Sequence, residues 1–152
     1  MPFTYDAEGI DPDQYSVAPE GLYALVIVDE KDGLSKNGDR QVTCKVMIES
    51  GPQKGKKFTH YVTFLPKEKK AAGMAVHFLK TIAQPWEGQI VVTPEDWIGS
   101  RFNGFVKVET WNNRERNALG DISPVTDGRT IDPQIQSEWV KKQSDPTDTA
   151  PF

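Results

Sequence analysis

Between Arg40 and Ser50 the chain keeps a strict period of two: Val42, Cys44, Val46 and Ile48 fall on one parity, Thr43, Lys45, Met47 and Glu49 on the other. On a helix that spacing would scatter the apolar residues around the axis, whereas on a strand it gathers them on one face. Residues 40 to 50 are therefore expected to form a half-buried strand. The period returns after the turn "GPQKGK", with Phe58, Val62 and Phe64 facing inward and Lys57, Thr59, Tyr61 and Thr63 outward. It returns again over 101 to 111, where Val106 and Val108 oppose Phe105, Lys107 and Trp111.

Two more segments read as strands. "GLYALVIVDE" (21 to 30) is a short β-branched run bounded by turn residues, and "KDGLSKNGD" after it reads as a loop or hairpin tip. "RNALGDISPV" (116 to 125) completes a hairpin across "NNRE". The period changes only over 67 to 84, where Ala71, Met74, Ala75, Phe78, Leu79 and Ile82 follow helical spacing between Pro66 and Pro85. "GQIVVTPEDWIGS" reads as an extended piece and then a helical turn carrying Trp97. The chain is thus expected to be mainly β, a five-stranded OB-fold barrel with a helix between strands 3 and 4, a layout that other small β barrels could share.

At 152 residues the chain suits one such domain, over 21 to 126, between an acidic amino-terminal arm (1 to 20) and a flexible, acidic carboxyl-terminal tail (127 to 152). Cys44 is the single cysteine, so no internal disulfide can form. The acidic start "MPFTYDAEGIDPDQ" does not resemble a secretory leader, and no run is long enough to span a bilayer, so a cytoplasmic setting is expected.

The net charge of -4 argues against a polyanionic partner until it is divided along the chain. Residues 1 to 20 hold five acids and no base, while residues 31 to 70 hold ten bases and four acids. Clustering of that kind makes a local field that attracts polyanions. OB-folds bind oligonucleotides or oligosaccharides across strands 2 and 3, between the loops joining strands 1 to 2 and 4 to 5. Those regions carry Lys31, Lys36 and Arg40, then Lys45, Lys56, Lys57 and Tyr61, then Arg114 and Arg116. Strand 4 adds Phe105, Lys107 and Trp111 on its outward parity. Cations for phosphates, interleaved with rings for bases, are what a single strand needs. The bland reading of each ring is core, with Phe105 plugging a barrel end and Tyr61 packing under the arm.

Chemistry beyond binding finds little support. His60 and His77 sit in no metal-ligand spacing, the acids of "DEKDG" and "NGD" lack the closing glutamate of a calcium loop, and "GPQKGKK" lacks the ending of a phosphate-binding loop. No catalytic constellation, metal or cofactor is expected.

The "YALVIV" strand, "SKNG" loop, "IESGPQKGKKF" turn, central helix and closing "WNNRERNALGDI" together resemble phage-encoded OB-fold single-stranded-DNA-binding proteins over roughly residues 20 to 125. The resemblance implies a protein that coats single-stranded DNA during phage replication and recombination. The ending "DPTDTAPF" is similar to the acidic Pro-Phe tips of bacterial single-strand binding proteins, which dock replication and repair enzymes. It implies that Asp145, Asp148, Pro151 and Phe152 bind such partners. The other class left open is a β-barrel for protein contact, such as a phage inhibitor or assembly factor. The oligomeric state, a homodimer included, is not given by the sequence.

Overall fold

The computed structural model describes residues 1–8, 17–125 and 130–144. Five strands form one antiparallel sheet: β1 (Gly21–Leu34), β2 (Arg40–Ile48), β3 (Lys57–Phe64), β4 (Arg101–Trp111) and β5 (Arg114–Pro124). Their order across the sheet is β3-β2-β1-β4-β5. The first strand is the pivot. Its early residues pair with β4 (Leu22 with Phe105, Tyr23 with Gly104) and its later ones with β2 (Ile27 with Val46, Lys31 with Thr43), with a bulge between Ile27 and Asp29. The sheet curls until its two edge strands, β3 and β5, line the same clefts, yet no ladder joins them and the sheet stays open.

The alternating residues go where their period sends them. Val42, Cys44, Val46, Ile48, Phe58 and Val62 are buried with Leu25, Ile27, Phe102 and Val106. Helix α1 (Gly73–Thr81) follows β3 and adds Ala75, Phe78 and Leu79. The Phe78 ring is central: His60, Trp97 and Phe102 lie 5.3, 5.6 and 5.8 Å from it, centroid to centroid. Such tilted and edge-on contacts add to the area each ring buries. Trp97 reaches this cluster from a 3-10 turn at Pro94–Trp97, as its place in "TPEDWIGS" suggests. Gly104 sits opposite Tyr23 because a Cβ there would stand 2.7 Å from a Leu119 methyl and 2.9 Å from one of Leu25.

Four boundaries differ from the sequence reading. β1 continues through Lys31 and Gly33 to Leu34, so the loop shrinks to residues 35–39, closed by Ser35 N–H donating to the Asp39 carbonyl at 2.8 Å. The β4–β5 turn is just Asn112 and Asn113, both at positive φ (51° and 62°), which makes Arg114 a strand residue. Asparagine tolerates the left-handed region that a two-residue hairpin turn demands. The helix is shorter than 67 to 84: a 3-10 turn at Lys70–Ala72 precedes α1, and Met74 stays exposed. It ends before Pro85, where Ala83 takes φ 60° and Gln84 N–H donates to the Leu79 carbonyl at 2.9 Å.

The fourth correction is the tail. Thr130 and Asp132 hydrogen-bond to Arg101 and Gly99, and α2 (Pro133–Ser144) packs Ile135 and Trp139 on the core. Asp132 caps this helix, its carboxylate accepting from Gln134 N–H at 3.0 Å, with Pro133 in the first turn. Arg101 N–H donates to the Thr130 carbonyl at 2.9 Å, Asp132 N–H to the Gly99 carbonyl at 2.7 Å, and the Trp139 indole to Asp29 at 3.3 Å. Gly99 (φ 87°) permits the approach, since a Cβ would meet the Asp132 carbonyl at 2.9 Å. Beside it the Arg101 guanidinium, almost fully buried, donates to Glu49 at 2.7 Å. Asp145, Asp148, Pro151 and Phe152 lie outside the described residues.

Candidate nucleic-acid interface

The outward parities of β2 and β3 meet the β4–β5 hairpin across a groove of about 540 Å³. Lys45, Lys57, Thr59 and Tyr61 form one wall; Glu109, Glu115, Arg116 and Ala118 form the other. This placement follows from register. Thr43 stands opposite Tyr61 and Lys45 opposite Thr59, so the lysine and the ring share the outer face while Phe58 and Val62 turn into the core. Tyr61 keeps 56% of its surface exposed, as an outward-facing ring does.

At the hairpin end Trp111, Arg114, Glu115 and Arg116 line a second cleft. Trp111 is 61% exposed, and the Arg116 guanidinium lies 5.6 Å from its ring centroid. Arg116 also stands 3.6 Å from Glu109, its partner across the ladder. Phe105 and Lys107 continue this outer face along β4, over Gly120, where a Cβ would meet the Lys107 stem at 3.3 Å. Phe105 is therefore no core plug.

The remaining candidates are placed apart. Lys31 belongs to the end of β1 and Lys36 to the β1–β2 tip, both exposed. Arg40 donates to Asp32 at 2.7 Å, so part of its charge is already answered. Lys56 reaches the Val17 carbonyl at 3.5 Å and helps to hold the root of the arm. Asn117 completes that root: its amide donates to the Ala18 carbonyl and its carbonyl accepts from Ala18 N–H, both at 2.9 Å. Glu20 adds a hydrogen bond from Val108 N–H at 3.0 Å. Residues 17–20 are thus clamped to β4 and β5, and Val17 closes one end of the groove.

The sequence reading overlooked Glu109 and Glu115. Glu109 was visible on the parity of Lys107 and Trp111; the inward turn of Glu115 to the groove was not, because it depends on the hairpin's curl. Two acids against Lys45, Lys57 and Arg116 leave the groove weakly positive, so attraction between it and a polyanion is modest and easily screened.

His60 lines the groove from the inner side of β3, where burial pushes its pKa down to about 4. It is neutral at physiological pH and serves as wall. Burial, and then the charge of Glu30, push the Cys44 thiol up to about 12, which leaves it without thiolate character. Glu30 itself is raised by desolvation first, then by Glu95, Asp29 and Asp32. Among the described residues no group of His, Cys, Asp and Glu is arranged to hold a metal, and no helix is long and apolar enough to cross a membrane.

No protein-family model matches the chain, and no curated protein matches it.

Proposed function

We propose that this chain is a sequence-tolerant single-stranded-DNA-binding protein, built as an OB-fold barrel left open between β3 and β5. The observation that carries this reading is the convergence of Lys45, Lys57, Arg116 and the exposed Tyr61 ring on one groove, with Trp111 at its hairpin end. Flat rings accept any base, and cations beside them accept the backbone. The order of strands around the pivot β1, with α1 following β3, supports the barrel. The motifs that resemble phage proteins support a role in coating single strands during replication or recombination. On the same resemblance, Asp145, Asp148, Pro151 and Phe152 would recruit protein partners.

Tryptophan emission tests the reading. Trp97 is buried and Trp86 and Trp139 are half-buried, so quenching by an oligonucleotide reports mainly on Trp111. Single-stranded oligonucleotides of mixed sequence should quench, duplex DNA should do so weakly, and Trp111→Phe should remove most of the signal. A barrel used for protein contact would leave both emission and electrophoretic mobility of the oligonucleotide unchanged.

A further inference from the structure

The seam between β3 and β5 has a second, apolar half. On the α1 side it opens into a cleft of about 560 Å³ lined by Val62, Leu65, Met74, Phe78, Leu119 and Ile122. Its walls are the two edge strands, whose outer backbone groups have no ladder partner within the sheet. Met74, at the mouth, is 72% exposed although it belongs to the helix that packs the core. An apolar cleft between two unpaired strand edges is shaped for an extended peptide, with main-chain groups pairing to the edge and alternate side chains filling the cleft.

The same chain carries such a peptide. Met1, Phe3 and Tyr5 fall on one parity of the amino-terminal arm, and all three stand in solvent, Phe3 with 88% of its surface exposed. Single exposed apolar residues are ordinary, but three at a period of two make a strand face in search of a partner. Asp6 and Glu8 follow them, while Lys67, Lys69 and Lys70 precede Ala71 at the rim of the cleft. Asp121 also lines the cleft, so the acidic end of the arm is directed to the lysine side. The arm's root is fixed by Lys56 and Asn117 beside the other half of the seam, and the nine peptide links from Glu8 to Val17 reach about 30 Å at most. In the single chain the arm's apolar face is uncovered.

We propose that residues 1–8 of one copy lie in the β3/β5 cleft of a second copy, each copy giving an arm and receiving one. Such an exchange is closed and two-fold. It covers both unpaired edges and the exposed Met74 at once, and it does not depend on the nucleic-acid reading.

Sedimentation velocity on the full chain over micromolar concentrations decides it, alongside a variant lacking residues 1–8, the double variant Phe3→Glu, Tyr5→Glu, and Met74→Glu. The full chain should sediment at twice 17.0 kDa, and each variant should dissociate at least tenfold more readily. Met74 is exposed, so its substitution leaves the core intact and reads the cleft alone. Mixing the arm-deleted chain with Met74→Glu should restore a two-chain species, since one copy then gives the arm and the other the cleft. A full chain that stays monomeric throughout, or a dimer that survives arm removal, would overturn the proposal. So would arm removal that weakens oligonucleotide binding and leaves the mass unchanged, because the rings of Phe3 and Tyr5 would then be stacking on bases.

Discussion

Arg116 is shared between Trp111 and Glu109: its guanidinium lies 5.6 Å from the indole centroid and 3.6 Å from the carboxylate. The ring holds the cation in place, and under the proposed function the carboxylate competes with a phosphate for it. Both acidic and basic side chains here are about half exposed, so the pair itself adds little to stability. Under the proposed function its effect is on the ligand. Glu109→Gln should tighten binding of a single-stranded oligonucleotide roughly twofold to fivefold at low salt, with the gain fading as salt screens the site. Fluorescence anisotropy at two ionic strengths reads this, and unchanged affinity would mean that no phosphate visits Arg116.

Asn117 joins the arm to the sheet over 99 residues of sequence, its carboxamide pairing both the N–H and the carbonyl of buried Ala18. Asn117→Ala leaves an N–H and a carbonyl unpaired in a half-dry site. The loss should be about 1 to 3 kcal/mol, seen as a lower midpoint of urea unfolding at unchanged slope. An unaltered midpoint would show that water replaces the carboxamide without cost.

Much of this sheet was legible in sequence, and the reason is physical. A strand buried on one face must alternate, so Val42, Cys44, Val46, Ile48, Phe58 and Val62 announced both their structure and their side of it. Outward parity likewise gave Lys45, Tyr61, Lys107 and Trp111. What failed was the reading of 127 to 152 as one tail. The signals for α2 were present: Asp132 before Pro133 is a helix start, and Ile135 and Trp139 are one turn apart. Proline and polar composition outweighed them. Lys45, Lys57, Tyr61 and Arg116 of the groove were named from sequence, but the open seam between β3 and β5 was not, because no local pattern states which strands remain unpaired.

Stability should fall in mild acid through His60. Its folded pKa of about 4 lies below the ordinary value of 6.5, so between those values the unfolded chain binds the proton and the folded chain resists it. The contribution is whole above pH 6.5, declines as pH falls, and is lost by pH 4, a change on the order of 3 kcal/mol. Thermal melts of the native chain and of His60→Phe across this window should diverge as pH drops, with the variant losing less. Parallel curves would place the acid sensitivity elsewhere.

The α1 terminus offers a gain. Ala83 pays a steric penalty at φ 60° that glycine avoids, so Ala83→Gly should raise stability by about 0.5 to 1 kcal/mol. A lower melting temperature would show that the alanine methyl contributes packing that outweighs its strain.

The central claim is that phosphates and bases are met by different side chains of one groove, and salt titration separates the two. If Lys45, Lys57, Arg114 and Arg116 each neutralise a phosphate, log K for a single-stranded oligonucleotide should fall against log salt with a slope near -3. Lys57→Ala should bring that slope about 0.7 closer to zero, whereas Tyr61→Ala should weaken binding by about 1 to 3 kcal/mol and leave the slope as it was. A native affinity that does not change with salt, or a Tyr61→Ala chain that binds as tightly as the native one, would contradict the account.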